Sequence, residues 1–348
     1  MNNPFENRLL PAVRNGGYKD DNYWIWCGSA IVGDDGRYHL FASRWEKKYG
    51  FSANWLYRCE IVRCASDTPE GPYQYEETVL SARSAAYFDG RNVHNPCIRC
   101  WNGKYYLYYM GTTYGGDTPM TDAEIADPQR FIEVWNNKRI GVAVADSVLG
   151  PWKRPDKPLL LPRDYTHWDC TAITNPAVAI LPNGTTYLLY KSRRYANDTL
   201  QIGVARADQP DGEFVRISDE PIFQFENPDF HVEDPYLWYE DGKFRLLIKD
   251  DFKHDCGGIT GVWGGGFYAE SDDCIHWSIP AHPLVYSRHF VWDDGSVQDM
   301  TNAERPFLLL QDGHPTHLFL AVGEGDPAHP YQMTRSYNAC IPLKQEQL

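Results

Sequence analysis

The sequence predicts an all-β protein, a five-bladed β-propeller with four antiparallel strands per blade. Three observations predict it. A turn dipeptide followed by an aromatic and aliphatic run occurs five times, at Asp35-Gly36, Asn102-Gly103, Asn183-Gly184, Asp241-Gly242 and Asp312-Gly313. Such dipeptides between apolar runs signal hairpins, because the central residues of a tight turn need positive φ. The five glycines lie 67, 81, 58 and 71 residues apart. That spacing suits propeller blades, and no amphipathic helix recurs in each repeat as βαβ units would require.

Within each repeat the elements follow one order. The innermost strands open at Gly28-Ser29-Ala30-Ile31, Asn95-Pro96-Cys97-Ile98, Asn175-Pro176-Ala177-Val178, Asp234-Pro235-Tyr236-Leu237 and Arg305-Pro306-Phe307-Leu308. After four of the hairpins comes a third strand, ending at Asp67, Asp146, Asp208 and Asp272, and Gly71-Pro72-Tyr73, Gly150-Pro151-Trp152, Gly212-Glu213-Phe214 and His276-Trp277 begin a fourth. One helical stretch is predicted over roughly 121–136, with Ile125, Phe131, Ile132 and Trp135 as its apolar members, inserted in blade two. Beyond Leu320 one outer strand remains, at about 331–343, so the stretch Arg8-Leu9-Leu10-Pro11-Ala12-Val13 is expected to complete blade five and close the ring without a free edge. The whole chain, 1–348, reads as a single catalytic domain.

Composition narrows the function. A net charge of −14 argues against nucleic acid and anionic membrane surfaces as partners. No apolar run approaches the roughly 20 residues of a spanning helix. Nine scattered cysteines, an odd number, suit reduced core thiols. Together with an N-terminus lacking basic and apolar signal regions, they favour a cytoplasmic location for the chain as given, or a periplasmic or secreted one if a signal peptide was removed. Cys97 and Cys100 form a CxxC on a predicted strand, where residues three apart face opposite ways, so no metal site is expected. No cofactor is implied. A channel ion such as Ca²⁺ is left open, because the scattered Asp and His residues fit no loop motif.

In a propeller the innermost strands run along the central channel, so their leading ends converge on one face. The residues there are Asp20, Asp21, Trp24, Trp26, His94, Asn95, Asp169, Asn175, Glu233, Asp234, Glu304 and Arg305. The loop following Asp250, which includes His254, is placed to line or cover the mouth. Aromatic platforms combined with carboxylates, amides, imidazoles and guanidinium groups suit a sugar, which has apolar C–H faces and hydroxyl edges. Trp45, Tyr49, Phe51, Trp55 and Tyr57 suit either a homodimer interface or a loop packed over the site.

The Xaa-Pro at four of the five inner strands and Glu233-Asp234-Pro235 in blade four resemble the five-bladed propeller glycoside hydrolases of family 43. Gly28-Ser29-Ala30-Ile31, Tyr38-His39-Leu40 and Ser43-Arg44 look more like the anhydrogalactosidases of family 117. The resemblance implies an inverting glycoside hydrolase with Glu233 as general acid. It puts Asn175 where family 43 has an aspartate that tunes the acid, and Gly28 where it has the aspartate base. Another carboxylate must then serve as base: Asp21 is the first candidate, with Asp20 and Asp169 behind it. Neighbouring charge and aromatic surroundings are expected to raise the Glu233 pKa. The expected substrate-binding residues are Trp24, Trp26, His94, Asn95, Asn175, Asp234, Asp250, His254, Glu304 and Arg305. The leading expectation is an exo-acting hydrolase of oligo- or polysaccharides. Two alternatives stand beside it: a glycoside phosphorylase using Lys191, Arg193 and Arg194 for phosphate, and a non-catalytic sugar-binding propeller.

Overall fold

The computed structural model describes all residues except 1, 117–120, 196–197, 226, 228, 253–256 and 346–348. Five antiparallel sheets, one per predicted hairpin, form a five-bladed propeller. Blade one is complete, with strands Tyr23–Val32, Tyr38–Glu46, Glu60–Ser66 and Gln74–Leu80 in sequential order. Blade two has Asn92–Trp101, Lys104–Thr112 and Arg139–Ala145, and its fourth strand shrinks to a bridge between Val144 and Lys153. Blade three has Thr174–Ile180, Thr186–Ser192, Gln201–Ala207 and Val215–Arg216; blade four has Val232–Glu240, Lys243–Asp250, Gly266–Ser271 and Leu284–Tyr286. A short hairpin, His289–Val291 with Val297–Asp299, precedes blade five.

Blade five contains Asn302–Gln311, His314–Gly325 and Met333–Pro342, and the N-terminal stretch lies along its outer edge. Leu9 bridges Leu343, Leu10 N–H donates to Pro342 O, and Val13 N–H donates to Cys340 O. The chain thus closes its own ring, and backbone groups of the last strand that would face water are paired. Phe5 is anchored further on, edge-on to Trp238 at 6.1 Å.

The hairpin turns divide into two kinds. Asn102-Gly103, Asp241-Gly242 and Asp312-Gly313 hold positive φ at both residues, as tight turns require. In blades one and three only Gly36 and Gly184 do so, within wider loops closed by Gly33 N–H to Arg37 O and Leu181 N–H to Thr185 O. The helical insertion is two helices, Asp122–Ala126 and Pro128–Asn136. The break falls at Asp127, whose carboxylate caps Gln129 N–H with proline in the first turn. Cys97 is buried and Cys100 exposed, on opposite faces of their strand.

Candidate active site

Each inner strand carries a bulge at the same place. The register with its neighbour slips between Trp26 and Ser29, His94 and Cys97, Thr174 and Ala177, Glu233 and Tyr236, and Glu304 and Phe307. At each slip one residue adopts positive φ: Cys27 at 53°, Asn95 at 55°, Asn175 at 54°, Asp234 at 58° and Arg305 at 54°. Asn and Asp tolerate this conformation; Cys and Arg do so only where their surroundings hold them.

Those surroundings are one another. Cys27 Sγ donates to Asn95 Oδ1 (2.8 Å), Asn95 Nδ2 to Asn175 Oδ1 (2.8 Å), and Asn175 Nδ2 to Asp234 Oδ1 (2.9 Å). Arg305 Nη1 meets the same Asp234 oxygen at 2.8 Å. The five side chains make a polar chain around the channel neck. Burial pushes the Asp234 carboxyl above its usual range against the pull of Arg305, and pushes the Cys27 thiol up to about 12. Asn95, Asn175 and Asp234, expected to bind sugar, therefore spend their polar groups largely on the architecture. Gly28 matches the prolines of the other blades, and Cys27 holds the position preceding them. A Cβ on Gly28 would lie 2.5 Å from the Phe307 ring, so no side chain fits there.

In four of the five blades the residue before the bulge points to the mouth; in blade three Thr174 is buried and donates to Asn175 Oδ1 at 3.0 Å. Trp26, His94, Glu233 and Glu304 occupy four of these five positions and line a cavity of about 230 Å³ above the neck. Phe51 and Trp55 from the blade-one loop, Trp135 and Lys138 from the insertion, and Lys191, Leu200, Arg305 and Tyr331 complete its wall together with Asn175. The 45–57 segment thus packs over the site, the second of the roles open to it. His94 is buried between Cys27 Sγ at 3.4 Å and Cys59 Sγ at 3.1 Å, and burial holds its imidazole neutral, well below the usual range.

Among the described residues two carboxylates line the cavity, Glu233 and Glu304. Glu304 Oε1 accepts from Lys249 Nζ (2.6 Å), Tyr331 OH (2.6 Å) and Asn302 Nδ2 (3.1 Å). Lys249 also reaches Asp251 at 3.3 Å, and Asp251 accepts from His231 at 2.9 Å. Glu233 Oε1 accepts one longer bond, from Lys191 Nζ at 3.2 Å. Both glutamates keep Oε2 free of any protein donor among the described residues. Although burial opposes it, the ammonium groups of Lys191 and Lys249 hold the Glu233 carboxyl below its usual range, the reverse of the direction expected from sequence.

Several expected residues lie elsewhere. Asp21 is 85% exposed and paired with Arg335 at 3.2 Å, outside the cavity wall, so it is not placed to act on a sugar in the cavity. Asp20 lies beside Arg44 at 3.9 Å, also outside it. Asp169 is fully buried in a structural knot, accepting from Tyr190 OH (2.8 Å), Arg163 (2.6 Å) and Arg216 (2.6 Å). Blade two repeats that knot with Asp89, Tyr109, Arg83 and Arg154. Trp24 is packing: it meets Phe51 edge-on at 5.6 Å and donates to Lys47 O. Asp250 Oδ2 accepts from Ile259 and Thr260 N–H and pins the following loop without lining the cavity. His254 lies outside the described residues. The sequence does not single out Lys138, Trp135, Lys249 or Tyr331 for sugar binding. Only Trp135 leaves a trace there, as an apolar member of the inserted helix.

The family model for glycosyl hydrolases family 43 matches residues 72–249. No curated protein matches the chain. Solved structures share the fold across most of its length. Zg3597, a family 117 glycoside hydrolase of the marine bacterium Zobellia galactanivorans, is 18% identical over 97% of this chain and 89% of its own, with a TM-score of 0.64. BT0996, solved in a complex with RGII, is 14% identical over 99% and 94%, with a TM-score of 0.67. The Bacillus subtilis arabinanase Arb43A is 14% identical over 92% and 96%, with a TM-score of 0.56.

Proposed function

This chain belongs to the glycosyl hydrolases of family 43, and from that premise we propose that it removes a terminal sugar by inversion, with Glu233 as general acid and Glu304 as general base. Its substrate is carbohydrate and its activity glycoside hydrolysis. The observation that carries the residue assignment is the pair of glutamates at equivalent positions of neighbouring blades, each presenting one undonated oxygen to the same cavity.

Glycoside hydrolysis by inversion needs one carboxyl to protonate the departing oxygen and one carboxylate to activate water. Glu304 is held in place by three donors, including an ammonium at 2.6 Å, and serves as base. Glu233 has a single contact, at 3.2 Å, and it occupies the Glu-Xaa-Pro position of the family pattern, where the general acid is expected. Exo action is supported by the cavity's size. About 230 Å³ falls just short of the range for drug-sized ligands, and aromatic side chains from inserted segments wall it.

Aryl glycosides with good and poor leaving groups test the roles. The Glu233→Gln variant should lose about 10²–10⁴-fold on a poor leaving group yet keep most activity on dinitrophenyl glycosides, which need no acid. Glu304→Gln should lose activity on both. Proton NMR of the first-formed anomer checks inversion. Equal losses for both variants on both substrates would sink the assignment, and turnover that requires inorganic phosphate would favour the phosphorylase alternative.

A further inference from the structure

Three cations at the cavity have carboxylate partners: Lys191 has Glu233 at 3.2 Å, Lys249 has Glu304 at 2.6 Å, and Arg305 has Asp234 at 2.8 Å. Lys138 has none. It is 2% exposed and lines the cavity, and its ammonium makes no hydrogen bond or ion pair with any described residue. Its contacts are aromatic: Nζ lies 3.5 Å from the centre of the Trp135 ring and 5.4 Å from that of Trp55. The Arg193 guanidinium lies 3.6 Å from the centre of the same Trp135 ring, so the two cations sandwich one indole. Arg193 Nε is buried without a partner.

A buried ammonium with no acceptor is costly, and a ring face offers it attraction but no hydrogen-bond acceptor for its three N–H groups. Burial, with Lys191, Arg193 and Arg305 adding positive potential around it, holds the Lys138 amine well below its usual range although Glu233 pulls the other way, in a chain whose net charge is −14. Neutral hydroxyls would supply acceptors and nothing that favours the ammonium. An anionic group supplies both, through charge-assisted bonds.

We propose that Lys138 is the recognition point for an anionic substituent on the sugar, a uronate carboxylate or a sulfate ester. The inference rests on the hydrolase reading for the ligand being a sugar, and it adds the charge class of the substrate. Trp135, pinned between two cations, and Trp55 set the ammonium's position, so this specificity resides in the insertion and the blade-one loop and not on the catalytic strands.

Isothermal titration of the full chain with glucose, galactose, glucuronate, galacturonate and galactose 6-sulfate tests it, beside the Lys138→Met and Lys138→Gln variants. The wild type should bind at least one anionic sugar tenfold or more tighter than its neutral parent, and that ratio should fall toward one in both variants. Whether uronates or the sulfate ester gain more identifies the substituent. The proposal is overturned if the wild type shows no preference, if the preference survives in both variants, or if inorganic phosphate or sulfate alone binds as tightly as the charged sugar. The binding assay is independent of turnover. Neutral glycosides cleaved through Glu233 and Glu304 without any anionic preference would end this inference alone. A Lys138-dependent preference with turnover unaltered in the glutamate variants would end the catalytic assignment alone.

Discussion

Glu233 sits under opposed influences, with burial and Asp251 favouring its neutral form and the lysine ammonium groups its anion; the lysines prevail. In its proposed role as general acid it must be protonated to work, so kcat/KM falls as pH rises through its free-enzyme pKa. A Lys191→Met variant removes the largest lowering influence and lets that pKa rise. The descending limb of the kcat/KM profile should therefore move to higher pH. Were Glu233 the base, the ascending limb would move instead, which makes the profile diagnostic. Glu233, Glu304 and Arg305 are legible in the sequence because each adjoins the Xaa-Pro that marks an inner strand. Asp21 misleads because blade one, with Gly28 in place of the proline, lacks that marker. It is near that strand in sequence, yet it lies in a turn before Tyr23 and faces Arg335. Lys138 carries no comparable marker, since only the folded insertion brings Trp135 against it.

Among the elements, the two buried knots explain why an aspartate resembling a catalytic group is architectural. Asp169 joins Arg163, ahead of blade three, to Tyr190 and Arg216 within it, tying the connecting segment to the sheet. Asp169→Asn leaves two guanidinium groups short of their countercharge, and a loss of about 3–5 kcal/mol is expected by denaturant titration. The inner-strand bulges allow a second prediction. Gly28→Ala would place a methyl group 2.5 Å from the Phe307 ring, and overpacking of this kind costs about 1–3 kcal/mol, readable as a lower melting temperature. Hairpin positions were readable because turn chemistry is local. The bulges were not, because a bulge is defined by the partner strand's register, which no single segment carries.

For the molecule as a whole, closure depends on the N-terminal stretch. Removing residues 2–13 strips Phe5 from its contact with Trp238 and unpairs the outer strand of blade five. Loss of the Phe5 side chain's burial alone costs about 1.5–3 kcal/mol, and the bared edge invites pairing between molecules. The truncated protein should melt at lower temperature and elute partly as aggregates in size-exclusion chromatography. The bulge geometry has a different consequence. Architecture and chemistry occupy consecutive codons: Cys27, Asn95, Asn175, Asp234 and Arg305 brace the hub, while their immediate predecessors act as sockets that accept interchangeable tools. A library confined to Trp26, which lines the cavity without a hydrogen bond to the hub, could retune which sugar is admitted while leaving both glutamates and the hub untouched.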